Sequence, residues 1–133
     1  MRLRLEKVSK RFTRQGAGDV AAVNDVSLTV EPGELVTLLG PSGCGKTTTL
    51  RMVAGFEQPD EGRVFIGEAD VTGLMVYRRN IGFVFQNYAL FPHLTVFDNV
   101  AYGLRVRGVA SGALRSRVGQ VLELGGLPGY ESR

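Results

Sequence analysis

The stretch "LVTLLGPSGCGKTTTLRMVAG" (35–55) decides how the chain is interpreted. Its first five residues, "LVTLL" (35–39), are a nearly continuous apolar run, which is typical of a strand covered on both faces. A glycine-rich loop follows. The period then becomes helical, since Leu50, Val53 and Ala54 share one face and Gly55 is suited to close a helix. The stretch therefore predicts a buried strand, a loop and a helix in direct succession.

The loop "GPSGCGKT" (40–47) fits the pattern G-x-x-x-x-G-K-[ST] without a gap. Its glycines permit backbone conformations in which successive N–H groups cradle an anion, and the following helix presents its positive end to the same place. Lys46 is predicted to reach β- and γ-phosphates, the Thr47 hydroxyl to bind Mg²⁺, and Thr48 to contact an α-phosphate oxygen. The predicted nucleotide triphosphate site comprises Gly40, Pro41, Ser42, Gly43, Cys44, Gly45, Lys46, Thr47 and Thr48.

The single cysteine, Cys44, lies inside this loop, so the chain cannot form an internal disulfide. A small residue that fills a loop position is the favoured interpretation of Cys44. The alternative is a reactive thiol, activated by the helix N-terminus and by Lys46 when no nucleotide is bound. A thiol that lies against the phosphates would be alkylated more slowly in the presence of Mg-ATP.

Other segments predict the remaining strands. The stretches "RLRLEKV" (2–8) and "VSLTV" (26–30) alternate polar and apolar residues, as half-buried strands do. The stretches "RVFIG" (63–67) and "IGFVF" (81–85) indicate further strands, with a hairpin turn at "GEAD". The stretch "GAGD" (16–19) indicates a flexible tip between the first two strands.

Two helices are predicted in the last third of the chain. Thr95 is suited to cap the first, with Asp98 three residues on, and its apolar face comprises Phe97, Val100 and Leu104. The second helix has Leu114, Val118, Val121 and Leu122 at helical spacing, and "GG" (125–126) ends it. Strands, a helix, strands and then helices indicate one mixed α/β domain.

The charge and hydropathy of the chain favour neither a nucleic-acid partner nor a membrane-spanning segment. The formal charge is +3, from 16 Lys and Arg against 13 Asp and Glu, with no long basic run, so no nucleic-acid partner is predicted. The start "MRLRLEKVSK" has no apolar segment of signal-peptide length. No stretch of about 18 apolar residues occurs, so any role at a membrane requires a partner protein.

Two long stretches, "LLGPSGCGKTTTLRMVAGFEQPDEGRVFIGEADVT" (38–72) and "RRNIGFVFQNYALFPHLTVFDNVAYGL" (78–104), strongly resemble the ATP-binding subunits of ABC transporters. The likeness is closest to importers of the spermidine/putrescine type, with ferric-iron, sulfate and sugar importers as near relatives. It implies an α/β fold, that of a P-loop NTPase of the ABC ATPase kind. The chain would contain only the N-terminal part of that fold. Residues 1–86 would form the nucleotide-binding core with an antiparallel β subdomain. Residues 87–133 would contain the Q-loop and the beginning of the helical subdomain, which is incomplete.

The resemblance also implies roles for single residues. Gly40–Thr48 matches the Walker A loop, with Lys46 as a catalytic residue. Gln86 matches the Q-loop glutamine, which contacts Mg²⁺ and the attacking water in the family. Phe12 falls where the family keeps an aromatic side chain that stacks on adenine. Without the resemblance, Gln86 would be interpreted as a solvated strand end and Phe12 as a core residue.

The segment "NYALFPHLTV" (87–96) matches the part of the family's fold that receives a helix from the permease. Tyr88, Leu90 and Phe91 form an apolar patch there, as interfaces often do. The only histidine, His93, is expected to have a packing or surface role rather than that of the family's switch histidine. The resemblance thus implies an ATP-binding subunit on the cytoplasmic face of the inner membrane, paired with a second such subunit and with permease subunits, and connected indirectly to an extracytoplasmic solute-binding protein.

The chain has no LSGGQ-like signature and no apolar strand that ends in Asp-Glu. The sequence is therefore expected to represent the N-terminal half of such a subunit, which binds Mg-ATP but turns it over negligibly by itself. A polyamine is the favoured solute, although specificity in such importers lies in the permease and the binding protein. The alternatives are a non-transport ABC ATPase, a small-molecule or nucleotide kinase, and a non-catalytic nucleotide-binding fragment.

Overall fold

The computed structural model of the chain describes residues 1–14 and 18–133, in two compact units, Met1–Phe83 and Val84–Arg133. The division of function after Gln86 stays a prediction. Residues 16 and 17 of the predicted tip lie outside the described residues, and Gly18 begins a strand. The elements, in chain order, are β1 (Leu3–Arg14), β2 (Gly18–Val30), α1 (Lys46–Ala54), β3 (Glu61–Ile66), β4 (Ala69–Asp70), a 3₁₀ helix (Val76–Arg78), α2 (Val96–Val106) and α3 (Ser111–Leu124).

The strands of the first unit form one antiparallel sheet in the order β2-β1-β3-β4. Leu5 at the centre of β1 pairs with Leu28 of β2 and with Val64 of β3, so the apolar positions predicted by alternation meet across the strands. The hairpin turn before β4 is at Gly67, as predicted, with a φ of 63°. The structure therefore confirms the predicted antiparallel part of the fold.

Irregularities in β1 and β2 change which residues face the core. Lys7 and Asp25 both have a φ of 48°, and the register of the two strands shifts between Leu5 and Val8. Strict alternation would place Leu5 and Val8 on opposite faces, but both are buried because the irregularity rotates the strand between them. The core of the unit comprises Leu5, Val8, Val23, Met52, Val64 and Val71.

The strand predicted at 35–39 is not formed in the structure, which corrects that prediction. The segment makes no strand pairing within the described residues, and Leu35 and Leu39 are 91% and 88% exposed rather than covered. A cleft of about 330 Å³ separates its last three residues from Val26 and Leu28 of β2. The predicted strand 81–85 is likewise not formed. A strand needs a neighbour that accepts and donates hydrogen bonds with its peptide groups, and neither segment pairs with a strand of the described residues.

Helix α1 has the predicted limits, and its packed face agrees with the prediction at Val53 and Ala54 but not at Leu50. Its C-terminal cap is Gly55, with a φ of 87°, whose N–H group donates to the carbonyl oxygen of Arg51 at 2.9 Å. Of the residues predicted to face the core, Ala54 is buried, but Leu50 is 50% exposed. Met52 is buried instead. Leu50 is only half covered by the described residues, so helical periodicity identified the side that packs only in part.

The second unit is a helical hairpin. Thr95 caps α2 as predicted, because its hydroxyl oxygen accepts from the N–H group of Asp98 at 3.1 Å. Gly125 ends α3, also as predicted. Ala101 of α2 packs against Leu114, Val118 and Leu122 of α3, while the predicted core residue Val121 is 51% exposed. No helix of the described residues is long and apolar enough to cross a membrane.

Candidate phosphate-binding site

Three glycines of the loop at 40–47 have left-handed or related conformations. The φ angles of Gly40, Gly43 and Gly45 are 155°, 81° and 91°. A side chain is disfavoured at such angles, so the backbone takes the conformations for which the pattern requires glycine. The loop passes directly into α1, whose first residue is Lys46. The N-terminal end of a helix therefore lies at the edge of the loop, where its N–H groups favour an anion.

Gly45 also allows a close approach between the loop and the sheet. A Cβ atom at this position would lie 2.1 Å from the carbonyl oxygen of Ala22 and 3.2 Å from a methyl group of Val23. Ala22 is the extra residue at a register shift, since Lys10 pairs with Val23 and Arg11 pairs with Ala21. This irregularity leaves Ala22 without a partner in the ladder with β1. The sheet thus contacts the loop through a bulge that the sequence patterns did not reveal.

The ammonium group of Lys46 lies across the loop. Its Nζ atom donates to the carbonyl oxygens of Gly40 and Pro41, both at 2.7 Å, and lies 3.5 Å from the sulfur of Cys44. These oxygens are neutral acceptors. An ionised phosphate oxygen makes a stronger, charge-assisted hydrogen bond with an ammonium group. Lys46 is therefore placed where it can exchange loop carbonyls for a phosphate.

The three consecutive threonines differ in exposure. Thr47 is exposed and Thr48 is partly buried, so both side chains are accessible at the first turn of α1. Thr49 is 7% exposed, and its hydroxyl donates to the carbonyl oxygen of Gly45 at 3.0 Å. Its N–H group donates to the same oxygen at 2.8 Å. Thr49 therefore stabilises the start of the helix, whereas Thr47 and Thr48 stay available for a ligand. Cys44 is exposed.

Phe12 lies on β1, directly opposite Val20 of β2. The interpretation of Phe12 as a core residue is wrong, because it is 40% exposed, and Val20 is 44% exposed. Val20 lies two residues from Ala22, or roughly 7 Å along a strand. The apolar surface formed by Phe12 and Val20 is thus close to the contact between Ala22 and Gly45. The ammonium group of Lys10 lies 5.6 Å from the centre of the Phe12 ring.

The remaining predicted site residues lie in the second unit. Gln86 is exposed and lies in a turn in which the N–H group of Tyr88 donates to the carbonyl oxygen of Phe85 at 3.0 Å. Tyr88 and Leu90 are 79% and 74% exposed. Phe91 is less exposed and stacks on Tyr102 of α2, with 4.5 Å between the ring centres. The structure therefore presents the predicted apolar patch on the surface. His93 is exposed too, which agrees with a surface role.

Asn99 fixes the loop that carries this patch and was not identified from the sequence. Its amide nitrogen donates to the carbonyl oxygens of Phe91, Leu94 and Thr95, at 3.2, 3.1 and 3.0 Å. Its amide oxygen accepts from the N–H group of Phe91 at 2.9 Å. One side chain thus ties the preceding loop to α2. An asparagine inside a helix, just after a cap, was the available signal.

The loop, the helix that starts at its edge and the adjoining antiparallel sheet define a P-loop nucleotide-binding domain. The particular family follows from comparison with known proteins. A family model described as ABC transporter matches residues 23–133, and the chain belongs to that family.

Three curated relatives show how closely the chain resembles import subunits. It is 54% identical over 131 residues to the spermidine/putrescine import ATP-binding protein PotA of Rubrobacter xylanophilus, covering 98% of this chain and 33% of that protein. It is 55% identical to the Fe(3+) ions import ATP-binding protein FbpC of Rhizobium etli, with coverages of 95% and 36%. It is 50% identical to the sulfate/thiosulfate import ATP-binding protein CysA of Gloeobacter violaceus, with coverages of 100% and 37%. The chain thus spans about a third of these relatives.

A solved structure confirms the ABC ATPase fold. The dimeric ATP-binding cassette MJ0796, in a post-hydrolysis state bound to ADP and Pi, superposes with a TM-score of 0.87 at 30% sequence identity. The match covers 98% of this chain and 60% of that chain. The predicted fold class is therefore confirmed.

Proposed function

We propose that the chain is the N-terminal part of the ATP-binding subunit of an ABC importer and that it binds the triphosphate of ATP in the loop at 40–48. The loop geometry carries this proposal: three glycines at positive φ lead into α1, and the Lys46 ammonium group lies across the loop mouth. Main-chain N–H groups and an ammonium group are suited to enclose a polyanion.

Each polar group of the loop has a different task in this proposal. Lys46 would leave the carbonyl oxygens of Gly40 and Pro41 and donate to the β- and γ-phosphates. The exposed Thr47 hydroxyl would be a ligand of Mg²⁺, and Thr48 would donate to an α-phosphate oxygen. No group of three His, Cys, Asp or Glu side chains that could hold a metal occurs in the described ranges 1–14 and 18–133. A metal held by one hydroxyl together with phosphate oxygens is a mode of binding that Mg²⁺ favours.

Phe12 would stack on the adenine ring. Its exposure on the sheet, beside Val20 and near the contact between Ala22 and Gly45, supports this role. An aromatic ring stacked on a base contributes about 1–3 kcal/mol. Phe12→Ala should therefore weaken ATP binding about 5- to 100-fold and leave tripolyphosphate binding unchanged.

Gln86 and the exposed patch would connect the site with partner proteins. As the resemblance to the Q-loop implies, Gln86 would help to hold Mg²⁺ and the attacking water, for which an amide is suited because its oxygen can ligate a hard cation while its nitrogen donates. Tyr88, Leu90 and Phe91 would receive a permease helix at the cytoplasmic face of the inner membrane. A second copy of the complete subunit would close the site, and an extracytoplasmic solute-binding protein would deliver the solute to the permease.

The candidate solutes are a polyamine, ferric iron and sulfate, which are the solutes named for the three import subunits. The identities of 54%, 55% and 50% to the three import subunits are too similar to separate them.

During hydrolysis, Mg²⁺ would neutralise charge on the phosphates. The loop N–H groups and Lys46 would stabilise the charge that develops on the γ-phosphoryl group. The 133 residues include no apolar strand that ends in Asp-Glu to orient water and no LSGGQ-like signature, so we expect negligible multiple turnover from this chain.

Calorimetry with Mg-ATP on the folded chain tests the proposal. Lys46→Ala removes a charge-assisted hydrogen bond, worth about 1.5–3 kcal/mol, and should weaken binding about 10- to 100-fold. Arg51→Ala removes an exposed cation from the same helix and should leave the affinity within about twofold. If the wild-type chain gave no magnesium-dependent heat with ATP, or if both variants bound equally well, the proposed site would be wrong.

A further inference from the structure

Arg79 is a buried cation at the end of α1 that lies far from the phosphate loop. It follows the 3₁₀ helix and is 3% exposed. Arginine side chains are almost never fully buried unless their donors are paired. The position therefore requires a specific set of acceptors, and the structure supplies one.

All four hydrogen-bond acceptors of Arg79 are main-chain carbonyl oxygens. Nη1 donates to Met52 at 2.7 Å and to Val53 at 2.8 Å, both in the last turn of α1. Nε donates to Leu74 at 2.9 Å and Nη2 donates to Thr72 at 3.1 Å, both in the segment after β4. One guanidinium group thus ties the end of the helix to the segment that follows the hairpin.

The electrostatics of the position match the direction of the helix. The C-terminal end of a helix carries partial negative charge, and a cation there is favourable by about 0.3–2 kcal/mol, with the upper value for partly buried geometries. Burial lowers the pKa of Arg79 by desolvation, and a guanidinium group remains charged well above neutral pH. The charge therefore stays in place and is balanced by carbonyl dipoles.

Gly55 leaves the space that this arrangement needs. A Cβ atom at position 55 would lie 2.5 Å from Nε and 2.8 Å from the central carbon of the guanidinium group. The same glycine has a φ of 87° and closes the helix. The glycine therefore serves the cap and the close approach of Arg79 together.

Helix α1 is held at both ends. At its start, Gly45 contacts the carbonyl oxygen of Ala22. In its last turn, Met52 is fully buried in the core of the unit. At its end, the four hydrogen bonds of Arg79 fix the last turn. The helix has nine residues, or about 13 Å, so a tilt about its last turn moves its first turn by a distance that grows with the tilt angle.

We propose that Arg79 is a positioning residue for the phosphate loop, because it holds α1 in the orientation that places Lys46 and the first-turn N–H groups against the phosphates. This inference rests on the proposed function. It predicts that loss of Arg79 lowers the affinity of correctly folded molecules for a polyphosphate, since only the fraction with α1 in place binds.

The test compares Arg79→Met, Arg79→Lys and Arg78→Met by calorimetry with Mg-ATP and with magnesium tripolyphosphate. Each variant is measured where circular dichroism shows it to be folded. If α1 is in place in one molecule in ten, Arg79→Met weakens both ligands about tenfold. Arg79→Lys keeps the charge and part of the bonding, and should weaken both ligands by about two- to fivefold. Arg78 is exposed, so Arg78→Met should bind as the wild type does.

The outcomes separate this inference from the proposed function. No binding by the wild-type chain would contradict the proposed function itself. If Arg79→Met folds, is less stable and binds with wild-type affinity, Arg79 only stabilises the fold. If Arg79→Met does not fold, wild-type affinity of Arg79→Lys would show the same. A loss confined to ATP, with tripolyphosphate unaffected, would place the effect at the adenine side and would also overturn the inference.

Discussion

Leu5 and Leu35 both lie in stretches that the sequence predicts to be strands, yet their environments are opposite. Leu5 pairs with Leu28 and Val64 and is 1% exposed. Leu35 is 91% exposed and belongs to a segment without a strand partner among the described residues. The difference shows that apolar composition favours a strand only where a neighbouring segment accepts its hydrogen bonds.

The largest expected effect comes from supplying such a neighbour. A chimera that continues this chain with the downstream part of the Rubrobacter xylanophilus relative should order 35–39 as a strand. Amide hydrogen exchange in that segment should slow on the order of 1000-fold, because its N–H groups become part of a cooperative sheet. The chimera should also gain multiple-turnover ATPase activity, which we expect to be negligible in the 133-residue chain.

The exchange rates of β1 are the internal control for the chimera. They should change much less than those of 35–39, since β1 already has β2 and β3 beside it. If the amide hydrogen-exchange rates of 35–39 were equal in the chain and in the chimera, the interpretation of this segment as an unpaired strand would be contradicted. Measurable multiple turnover by the chain itself would show that the proposed division of the subunit is wrong.

A pair of matched substitutions tests the same comparison energetically. Leu5→Ala removes a fully packed side chain and should lower the free energy of unfolding by about 2–5 kcal/mol. Leu35→Ala should change it by less than about 0.5 kcal/mol, because the side chain is already exposed. Urea denaturation monitored by far-ultraviolet circular dichroism measures both. A cost for Leu35→Ala that approached the cost for Leu5→Ala would mean that 35–39 is packed in solution.

Local signals predicted the features that depend on neighbours in sequence. The Thr95 cap, the Gly55 and Gly125 helix ends and the turn at Gly67 are all confirmed, since each involves residues a few positions apart. The phosphate loop is a local feature too, because its backbone angles and the adjoining helix follow from one continuous stretch.

The features that the sequence did not reveal depend on distant partners. The carbonyl groups that bind Arg79 come from two separate segments, and no spacing pattern marks them. The bulge at Ala22 exists only relative to the register with β1. The buried face of α1 is decided by the sheet that packs on it, so the exposed Leu50 was predicted wrongly. Periodicity predicts which residues share a face, but not which face a partner covers.

The smallest expected effect concerns the second unit, whose first helix is stabilised by local polar contacts. An Arg105 nitrogen lies 2.6 Å from one Asp98 carboxylate oxygen, and the Thr95 hydroxyl donates to the other at 2.9 Å. These hydrogen bonds, that from Arg105 foremost, lower the pKa of Asp98. A carboxyl group with a lowered pKa in the folded state stabilises that state above its ordinary pKa of about 3.9, and the stabilisation is lost as the pH falls through the lowered value.

Asp98→Asn should therefore lower the melting temperature of the chain slightly at pH 7 and have progressively less effect as the pH falls below about 4. The expected change at pH 7 is about 1–3 °C, because the pair is partly exposed to solvent, with Arg105 51% and Asp98 29% exposed. Asp25→Asn is a suitable control, since this exposed side chain is not among the ion pairs of the described residues. A difference between Asp98→Asn and the wild type that grew as the pH was lowered would show that the Asp98 carboxylate does not stabilise α2. The contacts that hold this helix would then be its apolar ones with α3, and the helical unit would depend on distant partners as the sheet does.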